Sequence, residues 1–144
     1  MATDDHNDKA DWTRMILRWA LGAFLLLAGS GHLTWARHEF VSQVPRWLPV
    51  DADLVVILSG FVEILLGLAL VALHRQRVVV GWVTAAFFVL VFPGNISQYV
   101  NRIDAFGLDS DMARGIRLLF QPLLVLWALW STEAWQVWRN HKRA

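Results

Sequence analysis

Residues 54–73 read LVVILSGFVEILLGLALVAL, a run whose one ionisable side chain is Glu63. A helix needs about 20 apolar residues to cross roughly 30 Å of hydrocarbon, so this run is long enough to span a bilayer. Three further runs qualify: 15–35 (MILRWALGAFLLLAGSGHLTW), 78–97 (VVVGWVTAAFFVLVFPGNIS) and 116–132 (IRLLFQPLLVLWALWST). The expected fold is therefore an all-α membrane protein, a bundle of four transmembrane helices. Composition agrees, since 56% of the 144 residues are hydrophobic and 17% charged, with the apolar residues gathered into blocks.

Around the spans, residues 1–13 read as a mobile polar tail, 14–135 as the transmembrane domain and 136–144 as a basic tail. The leader is acidic and lacks the basic n-region of a signal peptide, so the first span is expected to be retained. Lys9, Arg14, Arg75, Arg77, Arg139, Lys142 and Arg143 fall on one side of the four spans. Arg37, Arg46, Arg102 and Arg114 fall on the other, diluted by Glu39, Asp51, Asp53, Asp104, Asp109 and Asp111. The positive-inside bias then predicts that both termini are cytoplasmic. Trp35, Trp127, Trp130, Trp135 and Trp138 lie near span ends, where interfacial aromatics belong. The first outer loop, 36–53, has an apolar side in Phe40, Val44, Trp47 and Leu48 and is expected to lie in the interface. The more polar second loop, 98–115, is expected to be flexible.

Several chemistries are excluded or disfavoured. The formal net charge is +1 with no basic run, which argues against nucleic acid as a partner. Cysteine is absent, so this chain carries no disulfide and no thiolate chemistry of its own. No HxxxH or HExxH spacing is present, and no metal site is predicted. Asn95-Ile96-Ser97 fits a glycosylation sequon by letter, but its place at a span edge marks it as coincidence.

Polar side chains inside spans are expensive and therefore informative. In the first span Arg18, Gly22, Leu25, Gly29 and His32 follow steps of three and four and share one face. The same steps join Gly60, Glu63 and Gly67 in the second span, with Ser59 adjacent. They join Gly81, Thr84, Phe88, Val91 and Asn95 in the third, and Arg117, Gln121, Leu124, Ala128 and Ser131 in the fourth. In a bundle these faces should meet. At about 1.5 Å per residue, His32, Asn95, Arg117 and Gln121 lie in the outer half and Glu63 near mid-membrane, while Arg18 can snorkel to cytoplasmic water. The candidate ligand-binding set is His32, Ser59, Glu63, Asn95, Arg117 and Gln121. Pro93 is expected to break the third helix by freeing the Val89 carbonyl, and Gly94 to admit a close backbone or ligand.

At these residues the chain resembles the DoxX family of small four-helix membrane proteins. The likeness is carried by GSGHL at 29–33, VPRWLP at 44–49, SGFVEILLGLAL at 59–70, FPGNI at 92–96 and RLLFQPLLVLWA at 117–128. The family usually reads His-Phe where this chain has His32 and Leu33, and often Ala at Gly94. The resemblance implies a multi-pass protein of the bacterial cytoplasmic membrane, in some relatives a subunit of sulfur-oxidising or quinone-reducing assemblies. No catalytic residue is assigned. Two functional classes stay open. One is an accessory subunit of a membrane redox system whose outward pocket binds a small amphipathic ligand such as a quinone, or docks a membrane or soluble redox protein. The other is a non-catalytic scaffold or assembly factor in which the polar cluster only fixes helix packing, with Glu63 paired to Arg117 or Gln121. The lipid-facing surface also leaves room for a homo-oligomer.

Overall fold

The structure is a computed structural model that describes residues 2–143, with side chains from residue 9. Among the described residues it is entirely helical: α1 (Ala2–Leu33), α2 (Arg37–Gln43), α3 (Ala52–Ala72), α4 (Arg77–Val100), α5 (Asp111–Ser131) and α6 (Ala134–His141). Four stretches are long and apolar enough to cross a membrane: Lys9–Leu33, Ala52–Ala72, Arg77–Val100 and Asp111–Ser131. They alternate in direction, so α2 and the α4–α5 loop share one end of the bundle, here the loop end. The 73–76 turn, α6 and the start of α1 share the other, the terminal end. The expected spans fall on these helices, although α5 begins at Asp111 instead of near Ile116.

Capping sets the helix starts at the loop end. The Asp51 side chain accepts from the Leu54 N–H at 2.9 Å, and the Ser110 hydroxyl from the Ala113 N–H at 3.2 Å, each satisfying a donor that the first helical turn leaves open. Residues 2–13, the polar segment ahead of the first span, are helical and form the first turns of α1.

The distribution of polarity is that of a protein in lipid. Leu27, Leu58, Leu65, Val83, Leu90, Leu119 and Leu126 are exposed, while Arg18, His32, Gln43, Glu63, Gln98, Arg114 and Gln121 are buried. Water would reverse this pattern; hydrocarbon favours it, because each hydrophilic group must find its partners inside the bundle. The chain is thus a multi-pass membrane protein built as two helix pairs, α1 with α3 and α4 with α5.

Glycine makes the first pair close. A Cβ on Gly29 would lie 2.6 Å from the Gly60 carbonyl oxygen, and one on Gly67 would lie 2.7 Å from that of Gly22. The two glycines of each helix are seven residues apart, two turns on one face, so the backbones touch at two levels. The second pair is held by polar side chains as well as by Phe87, Phe88 and Leu124 in the common core. Trp127 joins the pairs, its indole N–H donating to the Leu17 carbonyl at 2.9 Å. It is an interhelix donor and not the free interfacial anchor expected of it.

Other expectations are corrected. α4 runs unbroken through Pro93, because proline removes only one hydrogen bond and the neighbouring helix supplies a donor nearby: Gln121 Nε2 bonds the Phe88 carbonyl at 2.7 Å. That donor reaches the carbonyl one residue before the predicted Val89. Gly94 admits no close backbone, since a Cβ there would meet only the Gln43 carbonyl oxygen at an ordinary 3.7 Å. Arg18 does not snorkel: it is 3% exposed, with Nη1 3.1 Å from His74 Nδ1.

The second loop is pinned rather than flexible. Buried Arg114 donates to Asp104 at 2.6 Å, to Asp111 at 3.0 Å and to the Leu108 carbonyl at 2.9 Å. The Glu39 carboxylate accepts from the Phe106 N–H at 2.8 Å and so ties this loop to α2.

If backbone contact holds α1 to α3, Gly67→Ala forces an overpacking cost of about 1–3 kcal/mol, which outweighs the gain of about 1 kcal/mol in helix propensity. Gly115→Ala, whose Cβ would meet nothing closer than 3.6 Å, keeps only the gain. Thermal unfolding in detergent should therefore fall for the first variant and hold or rise for the second.

Candidate functional site

Helix direction brings His32 to Glu63. Side chains lean toward the N-terminus of their own helix. His32, near the end of α1, therefore leans into the membrane, whereas Glu63 on antiparallel α3 leans back toward the loop end. The two meet with His32 Nδ1 2.8 Å from Glu63 Oε2, and both residues are buried. Gly60 makes the room, since a Cβ there would stand 2.7 Å from the His32 Cβ.

The same His32 nitrogen lies 2.9 Å from the Ala28 carbonyl oxygen. A carbonyl only accepts, so that contact needs a proton on Nδ1. The N–H points at Ala28, and Glu63 Oε2, though close, accepts no hydrogen bond of ordinary geometry. The dyad thus holds a buried carboxylate oxygen beside an imidazole with its acceptor capacity unused.

A ring stack continues from the dyad. Phe40 of α2 lies 3.5 Å from the His32 ring, centroid to centroid and nearly parallel, and Phe106 meets Phe40 edge-on at 4.7 Å. The Arg117 guanidinium stands 4.7 Å over the Phe106 ring, a cation–π contact, and Nη2 donates to Gln43 Oε1 at 3.0 Å. Gln43 is itself buried, and its amide nitrogen has no partner.

On the other pair, Asn95 Nδ2 donates to Gln121 Oε1 at 2.8 Å while Gln121 Nε2 bonds Phe88. The amide of Gln121 is used at both ends and locks α4 to α5. Ser59, expected among the ligand contacts, turns its hydroxyl onto its own helix, donating to the Val56 carbonyl at 2.9 Å.

The six expected residues therefore separate into a His32–Glu63 dyad, an Asn95–Gln121 clasp, Arg117 and a self-bonded Ser59. Glu63 pairs with His32 and not with Arg117 or Gln121, since Gln43 and Asn95 occupy those two. The expectation missed Phe40, Gln43 and Phe106. Phe40 and Gln43 are three residues apart, a spacing that puts both on one face of a short helix, which was the signal available in the loop.

Residues 21–132 match the family described as a domain of unknown function, DUF8561, and the chain belongs to that family. No curated protein and no solved structure matches the chain.

Removing one partner of a buried polar pair costs about 1–3 kcal/mol, because the other is left desolvated in an apolar setting. His32→Ala should approach that cost. Glu63→Gln, which keeps shape and removes charge, should lose on the order of 1 kcal/mol. Combining them should restore part of the loss seen in His32→Ala, read by denaturant unfolding in detergent; strictly additive losses would mean the two side chains are not coupled.

Proposed function

We propose that this member of the DUF8561 family is a DoxX-like accessory subunit of a membrane redox system, and that its loop-end site binds a small amphipathic molecule of the quinone class. The observation that carries the reading is a pair of buried groups with bonding capacity to spare: the Glu63 carboxylate, whose Oε2 meets His32 Nδ1 without a hydrogen bond of ordinary geometry, and the amide nitrogen Gln43 Nε2, which has no partner. They stand on the two ends of the His32–Phe40–Phe106–Arg117 stack. One accepts and the other donates. A quinol ring would satisfy both, one hydroxyl donating to Glu63 and the opposite oxygen accepting from Gln43, and would lie against the aromatic rings. Glu63 would take a hydrogen bond or a proton from the ligand, His32 would share it, and Gln43 with Arg117 would hold the opposite oxygen. The Asn95–Gln121 clasp would fix the α4–α5 wall and need not touch the ligand. The excess of Lys and Arg at the terminal end supports placing both termini in the cytoplasm of a bacterium, with this site facing outward.

A scaffold role has its own support. Asn95, Gln121 and Trp127 spend their hydrogen bonds on neighbouring helices, which is what a cluster that only fixes packing would do. Thermal shift of the purified protein separates the two. Added at about one hundred times its dissociation constant, a ligand stabilises by about 2.7 kcal/mol, a shift of several degrees. A short-chain ubiquinol or menaquinol should raise the wild-type midpoint, and Glu63→Gln and Gln43→Ala should fold yet lose the rise. No rise with either quinol in the wild type favours the scaffold.

A further inference from the structure

The terminal end holds a second buried polar cluster, remote from the loop-end site. Arg14 and Arg18 lie four residues apart on one face of α1. His74 sits in the turn before α4, Arg77 opens α4, Ser131 closes α5, and Glu133 occupies the left-handed residue between α5 and α6. All of them line one cavity of about 310 Å³, together with Asp11. The segments after α3 and α5 thus converge on the start of the α1 span.

The charges in this cavity do not cancel. Arg14 is 3.3 Å from Asp11 and Arg77 is 2.7 Å from Glu133, so both carboxylates are engaged. Arg18 is left with the His74 ring nitrogen at 3.1 Å, and among the described residues no carboxylate lies within ion-pair distance of it. A guanidinium has only donors, so His74 Nδ1 must accept there, which makes this imidazole neutral and no second cation. Arg18 is 3% exposed and its Nε has no partner; Ser131 is 1% exposed and its hydroxyl has none either. Arg14 Nε and Arg77 Nε are unpartnered as well, so four buried donor atoms from three helices line the same cavity without an acceptor. Among the described residues lining the cavity, three arginines against two carboxylates leave one formal positive charge.

We propose that this cavity binds a phosphate group carrying a single negative charge, held by Arg18 and Ser131 with Arg14 and Arg77 beside it. The planar guanidinium fork matches two phosphate oxygens, and the serine hydroxyl suits a third. One negative charge balances the surplus, which describes the phosphodiester of an anionic phospholipid; inorganic phosphate in its singly charged form, dihydrogen phosphate, has the same chemistry. The cavity lies at the helix ends, the level at which headgroups meet a spanning bundle. This inference is independent of the loop-end reading.

Thermal unfolding of the full chain, purified and delipidated in a neutral detergent, tests it with phosphatidylglycerol, phosphatidylcholine and inorganic phosphate as three separate additions. Phosphatidylglycerol should raise the midpoint at concentrations where phosphatidylcholine does not. Arg18→Gln and Ser131→Ala should each raise the concentration for half-maximal protection by about tenfold, while Arg139→Gln, outside the cavity, should leave it unchanged. Protection by inorganic phosphate at equal strength would keep the site and assign it to the free ion. The proposal falls if neither phosphate source protects the wild type, or if Ser131→Ala is protected like the wild type. It falls equally if Arg139→Gln weakens protection as much as the cavity variants do. Should Arg18→Gln fail to fold, Ser131→Ala decides alone.

Discussion

Everything at the loop end depends on how closely α1 approaches α3. Gly22 against Gly67 and Gly29 against Gly60 bring the two backbones into contact, with carbonyl oxygens where a side chain would otherwise begin. In lipid there is no hydrophobic force to drive two helices together, so close packing and short polar contacts must do it. The same glycine that permits the contact, Gly60, also leaves the space filled by the His32 Cβ. Packing and chemistry are therefore one constraint: a side chain at residue 60 would push α1 away and displace the imidazole from Glu63 at once.

The second pair solves the same problem differently. α4 and α5 contain Pro93 and Pro122 inside their helices, and their association relies on amide groups that bond across the interface. Gln121 accepts from Asn95 and donates to a backbone carbonyl of α4, which both ties the helices and supplies a donor near the proline. At the far end Gly81 lies so close to Thr132 that a Cβ would overlap the threonine hydroxyl. Small residues and satisfied amides thus alternate along the bundle as the means of adhesion, and the apolar bulk faces outward.

Much of this was legible in the sequence. Runs of apolar residues located all four spans, because lipid requires a continuous hydrocarbon-compatible surface and tolerates few exceptions. Steps of three and four correctly grouped Arg18, Gly22, Leu25, Gly29 and His32, each of them buried. Partner choice was only partly legible. A helical stripe says which way a residue faces but not at what height the neighbouring helix meets it, so the sequence offers His32 as a proton partner of Glu63 and Arg117 or Gln121 as its packing partner, and the structure brings only His32 to it. Nor could the loops be read from composition. The acidic and basic residues of 98–115 suggested solvation, yet Arg114 gathers Asp104, Asp111 and a carbonyl into one pinned turn. Phe40 looked like an interfacial residue because a seven-residue helix in a loop leaves too short a periodicity to reveal that it folds back onto His32.

The location of buried polar atoms without partners bears on why the protein keeps them. Glu63 Oε2, Gln43 Nε2 and Arg114 Nε belong to the loop end, Arg14 Nε, Arg18 Nε, Arg77 Nε and Ser131 Oγ to the terminal end, and Thr84 Oγ1 lies between, where nothing in the structure explains it. The glycine contacts and the Asn95–Gln121 clasp hold the bundle without calling on any of these atoms. Each such group is a desolvated donor or acceptor that works against folding unless something completes it. On the readings proposed above, the loop end takes a ring with one donor and one acceptor, and the terminal end an anion. Adhesion alone gives a bundle no reason to hold an uncompensated guanidinium at one end and an unpartnered amide nitrogen at the other, and the two proposed ligands would complete both.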